Sequence, residues 1–136
     1  MMHVKWIVLD LMLAATLGTV ALHAQEPPPK EAFKVVHLVT LTPEQEATLA
    51  AALADVNTAI VQAAHSEIRY RLYKVTGKQA GNYSYMWESS WPSGAVYDEV
   101  HKSPAFQAAT KKHPVIEELM KNEVYNRYVE VRTGKP

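Results

Sequence analysis

FKVVHLVTL, Phe33 to Leu41, carries two alternating sets of side chains, and both sets are largely apolar. Phe33, Val35, His37, Val39 and Leu41 share one face of an extended chain; Lys34, Val36, Leu38 and Thr40 share the other. β-branched and apolar residues at this density predict a strand. A strand that is oily on both sides predicts a sheet covered on both sides.

The residues that follow set the topology. Thr42-Pro43-Glu44-Gln45 spells a helix start, with Thr42 as cap, Pro43 in the first turn and Gln45 closing a capping box. The helix is predicted to run to about Ala64, with Leu49, Leu53, Val56, Ile60 and Ala63 on one stripe. Ile68 to Val75 alternates as a strand, with Ile68, Tyr70 and Leu72 on one side and Arg69, Arg71 and Tyr73 on the other. A loop with Gly77 and Gly81 returns the chain into a strand from Tyr83 to Ser89. Tyr83, Tyr85 and Trp87 line one face of it, and Ser84, Met86 and Glu88 the other. Trp91-Pro92-Ser93-Gly94 breaks the pattern. A helix follows to Lys102, restarts at Ser103-Pro104 and again at His113-Pro114, and Val124 to Val131 forms the last strand. This order is an α+β, ferredoxin-like βαββαβ plan: a four-stranded antiparallel sheet with helices on one face. The bare face, assigned Val36, Leu38 and Val129, needs a cover, and a second copy of the chain would supply it in a twofold homodimer.

Upstream, Met1 to Ala24 has the three-part plan of a secretory signal peptide: Lys5, an apolar run from Trp6 to about Val20, and Leu22-His23-Ala24 before Gln25. Cleavage is expected after Ala24, with Ala21 as the other site. The run is short for a membrane span, although a retained N-terminal anchor is the alternative. Residues 25–32 form a Pro-rich linker, residues 33–131 the domain and residues 132–136 a fraying tail. The expected address is periplasmic or secreted, with no membrane contact once the signal is removed.

A chain of 136 residues supports one core. Lys+Arg and Asp+Glu balance at 14 each, so no basic footprint for nucleic acid exists. The absence of cysteine removes disulfides and thiolate chemistry.

His101 and His37 are the residues most suited to acid–base work. Asp98 precedes His101 by three positions and could orient its ring; a surface His with a passing ion pair looks the same in sequence. His37 sits among apolar neighbours and must find a partner or stay neutral, which marks either a pocket or a satisfied core residue. Tyr83, Tyr85 and Trp87 could stack a planar ligand or simply pack. Arg71, with Arg69 and Arg127, could hold a carboxylate or enolate oxygen, or pair with Glu88 or Glu130 across a dimer. His37, His65, His101 and His113 form no metal-ligand motif, and no nucleophile elbow or Gly-rich phosphate loop is present. No metal and no cofactor are expected.

Trp87-Glu88-Ser89, followed by Tyr97-Asp98-Glu99-Val100-His101-Lys102-Ser103-Pro104-Ala105-Phe106, resembles the antibiotic biosynthesis monooxygenase-like family of the dimeric α/β-barrel superfamily. The resemblance spans about residues 33–131 in element order. It implies that fold, a homodimer, and cofactor-independent oxygenation of a small apolar or aromatic molecule. It does not extend to the haem-degrading branch. Aligning Phe106 as the shared aromatic puts Val100 and Thr110 where that branch has Trp and His, and His37 where it has Asn. Two functions therefore remain open: a small monooxygenase-like enzyme, and a non-catalytic exported ligand-binding or stress-related module.

Overall fold

The computed structural model describes residues 26–132 and Gly134. The expected signal segment lies outside the described residues. The elements are β1 (Phe33–Val39), α1 (Pro43–Gln62), β2 (Arg71–Lys74), β3 (Tyr85–Trp91), α2 (Gly94–Lys102), α3 (Pro104–Lys112), α4 (Pro114–Met120) and β4 (Val124–Val129). The four strands form one sheet in the order β2-β3-β1-β4, with every neighbouring pair antiparallel. This is the ferredoxin-like arrangement. β1 takes a central place because its apolar residues can be covered from both sides only there.

Phe33, Val35, His37 and Val39 of β1 are buried against the helices. Two connected cores fill the space between the layers. One joins Phe33 and Val35 to Val56 and Ile60 of α1, Val100 of α2 and Phe106 of α3. The other joins Val39, Tyr85 and Trp87 to Leu49 and Leu53 of α1 and Leu119 of α4. The capping box at Thr42 and Gln45 forms as expected. Ser93 and Ser103 cap α2 and α3. No helix among the described residues is long and apolar enough to cross a membrane.

Several sequence expectations change. β2 begins at Arg71 and not at Ile68, because the side chain of Asn57 on α1 takes both backbone groups of Tyr70. Asn57 Oδ1 accepts from the Tyr70 N–H at 2.6 Å, and its Nδ2 donates to the Tyr70 carbonyl at 3.0 Å. β3 is shifted by two residues: Tyr83 precedes it and Trp91 ends it, so the inward aromatic row is Tyr85, Trp87 and Trp91. Val129 pairs with Phe33 and therefore belongs to the helix side of the sheet. Val36, Leu38, Met86 and Val124 are register neighbours on the open face.

The Pro-rich stretch does not stand clear of the domain. Pro28 and Pro29 are half-buried and their carbonyls lie directly over Gly94, the first residue of α2. Any Cβ at position 94 would collide with the Pro29 carbonyl oxygen, so the close approach requires glycine. Arg127 Nη1 donates to the Glu26 carbonyl at 2.6 Å and holds the start of this strap.

Candidate functional site

The register of β1 and β4 brings two distant residues together. Leu38 lies opposite Val124, so Glu123, one residue before β4, falls on the helix side near His37. His37 Nδ1 is 2.5 Å from Glu123 Oε2, and the two side chains are 7% and 5% exposed. Nδ1 is the ring nitrogen that faces the carboxylate, and a ring nitrogen so placed can donate to it. Trp87, paired with His37 on β3, stacks on the imidazole at 4.4 Å, and Tyr125, paired with it on β4, meets it edge-on at 5.0 Å. A carboxylate–imidazole pair walled by aromatic rings and shielded from water is an arrangement that acid–base chemistry can use.

His101 enters from α2. Its Nδ1 donates to the Tyr97 carbonyl at 2.7 Å, which leaves Nε2 to accept from the Tyr70 hydroxyl at 3.4 Å. Tyr97, Phe106 and Trp91 surround the ring at 3.8, 4.4 and 5.1 Å between centroids. Burial pushes its pKa down to about 4, against a smaller upward pull from the Tyr97 carbonyl. The ring is therefore neutral at neutral pH. Burial likewise holds the Tyr70 and Tyr97 hydroxyls far above the ordinary tyrosine range, so both stay protonated. Arg127 completes the group: Nε donates to the Tyr125 hydroxyl at 2.8 Å, and the guanidinium lies over the rings of Tyr97 and Tyr125 at 5.5 and 5.6 Å.

His37 and His101 thus share one aromatic interior. Two clefts lie beside this interior. A cleft of about 640 Å³ runs between α1 and β2, lined by Leu53, Asn57, Arg69, Tyr70, Arg71 and Tyr73 among others. A neighbouring one of about 240 Å³ shares Asn57 and Arg69 with it. Neither is lined by His37 or His101. Tyr70 is the link, since its residue walls the larger cleft while its hydroxyl reaches His101.

The residues singled out from sequence fall in four places. His37, His101, Tyr85 and Trp87 lie on the helix side of the sheet, although Tyr85 is drawn away to the Glu46 carboxylate of α1. Asp98 does not orient His101. It points outward and pairs with Lys102, one turn on, while the Tyr97 carbonyl does the orienting. Arg71 lies on the open face, where its Nη1 is 3.6 Å from Glu88 within the same chain. Tyr83 is half-buried and outside the row. Sequence reasoning missed Glu123, Tyr70, Tyr97 and Tyr125. Glu123 gave no local signal, being 86 positions from His37. Tyr97 had one, since it precedes His101 by one helical turn. Among the described residues no three His, Asp or Glu side chains converge as a metal ion would require.

No protein-family profile matches the sequence, and no functionally curated protein matches it. Solved structures do match. A dimeric ferredoxin-like protein of unknown function from Thermobifida fusca is similar with a TM-score of 0.53 at 19% identity, covering 74% of this chain and 92% of that one. A candidate antibiotic biosynthesis monooxygenase from Caulobacter crescentus gives 0.53 at 18% identity, covering 76% and 92%. A hydroxynitrile lyase from Passiflora edulis gives 0.52 at 16% identity, covering 79% and 100%. The chain shares their ferredoxin-like fold, which agrees with the resemblance carried by residues 87–106. At these identities the likeness speaks for fold, and a fold hosts many reactions.

Proposed function

We propose that the chain is an exported, homodimeric, monooxygenase-like enzyme acting on a small aromatic molecule by cofactor-independent acid–base chemistry. The observation that carries this reading is the buried Glu123–His37 pair. A carboxyl group and an imidazole are costly to bury without partners, and here they partner each other against two aromatic rings. Glu123 fixes the imidazole tautomer, and the lone-pair nitrogen of His37 takes a proton from an activated phenol or from an acidic C–H beside an aromatic ring. Neutral His101, with Tyr70 and Tyr97, supplies nearby hydrogen bonds without free charge. Dioxygen is the co-substrate. One of its atoms enters a new carbonyl, and the other leaves as water with two hydrogens of the substrate: both from carbon for an acidic CH2, one from oxygen and one from carbon for a phenol. The names of the structural neighbours include a candidate monooxygenase and a lyase, so the residues and not the fold must choose the reaction.

Export rests on the signal-like segment Met1 to Ala24. Dimerisation rests on the uncovered apolar face of the sheet and on the dimeric neighbour.

A second reading, a non-catalytic ligand-binding module, is favoured by one observation: neither His37 nor His101 lines either of the two clefts described above. Oxygen uptake across a panel of phenols, quinols and anthrone-like compounds separates the two. The enzyme reading expects uptake by at least one class, lowered about a hundredfold or more by Glu123→Gln and His37→Ala. Uptake equal in both variants, or none with any compound, leaves the binding module.

A further inference from the structure

The larger cleft has a chemistry of its own, independent of the interior acid–base groups. Leu53 and Leu72 give it an apolar floor and Tyr70 borders it, while Tyr73 and Arg71, also on its rim, send their side chains to Glu88 on the open face. Arg69 and Arg71 stand on its β2 side, two positions apart and both exposed. Their charges are not matched alike. Arg71 shares Glu88 with Lys34. Arg69 meets no carboxylate within ion-pairing distance among the described residues, and it stands where the two clefts adjoin. Asn57, which lines both clefts, is held in place by its two hydrogen bonds to the Tyr70 backbone. The volume, about 640 Å³, lies within the usual range for small-molecule sites.

We propose that this cleft binds a small aromatic carboxylate. The guanidinium of Arg69 holds the carboxylate, and the ring lies on the leucine floor beside Tyr70. The site goes beyond the acid–base reading and needs no turnover. Because Tyr70 also reaches His101, an occupant would touch the wall that separates the cleft from the aromatic interior.

Equilibrium dialysis of the purified full chain against naphthalene-2-carboxylate tests this, with naphthalene-2-carboxamide as the uncharged control. The acid is expected to bind about tenfold or more tightly than the amide, and Arg69→Gln to remove that difference. Ala50→Trp, at an exposed position on the cleft wall, is expected to weaken both compounds by filling the space. Acid and amide binding equally to the wild type, acid binding unchanged in Arg69→Gln, or no binding of the acid would each overturn the proposal. The outcome is separable from the acid–base reading, since dialysis is blind to whether Glu123→Gln abolishes oxygen uptake.

Discussion

His101 shows how one residue's setting becomes a pH dependence. Its pKa is lowered from an ordinary 6.5 to about 4 by burial, so between those values the unfolded chain holds a proton that the folded chain does not. Folding is therefore most favoured above pH 6.5 and loses stability as pH falls toward 4, by at most about 3 kcal/mol from this group. His65, held by Glu67 and Glu99, has its pKa raised and acts with the opposite sign, losing its contribution as pH rises. Thermal melting of the wild type and of His101→Phe at several pH values isolates the buried ring. The difference between them should shrink or reverse on going from pH 7 to pH 4.5. A pH-independent difference would mean that His101 is not held neutral by the fold. At this scale the sequence was informative about His37, whose apolar neighbours announced a buried imidazole needing a partner. It was silent about Glu123, because a contact across 86 positions is created by strand register alone.

Among the elements, the helices were the most legible, since their caps are local chemistry. The strand ends were less so, because Asn57 on a helix decides where β2 begins. Two element boundaries yield predictions. α1 ends in a Schellman motif: the His65 N–H reaches the Ile60 carbonyl and the Ala64 N–H reaches that of Val61. Ala64 sits there at φ 66°, a left-handed conformation that costs an L-residue about 1–2 kcal/mol. Ala64→Gly should therefore raise stability by about 1 kcal/mol, read as a higher denaturation midpoint with an unchanged slope. A lower midpoint would show that the motif is not strained. At the start of α2, Gly94→Ala should dislodge the strap, because the clash is with backbone and not with a flexible side chain. Hydrogen exchange and proteolysis within residues 26–32 should rise several-fold while the sheet stays protected. Unaltered protection of the strap would show that it is not seated on Gly94. Three prolines form no ladder or helix and so read as a linker, while packing through their carbonyls carries no compositional signature.

At the scale of the molecule, one sheet has two unlike faces. The helix side carries the aromatic interior with His37, His101 and Glu123. The open side carries half-buried Val36, Leu38, Met86 and Val124, flanked by Tyr73 and Tyr128 at 42% and 50% exposure. In their midst Glu88 is only 4% exposed. Its Oε1 accepts from the Tyr73 hydroxyl at 3.3 Å, while Oε2 accepts no hydrogen bond even though Lys34 Nζ is 3.0 Å away. A carboxylate so enclosed on an uncovered sheet belongs to a surface that expects further cover. The overall plan was legible in residues 33–41 because only a doubly covered strand is apolar on both faces; which tyrosines gather at the interior site was not. The account holds that the open face closes on a second copy and leaves the chemistry on the other side undisturbed. Light scattering of the full chain at micromolar concentration, beside Leu38→Asp and His37→Phe, tests this most directly. The account predicts twice the chain mass for the wild type and His37→Phe, and a folded single chain for Leu38→Asp. A wild type that stays monomeric, or a Leu38→Asp variant that keeps the doubled mass, would contradict it.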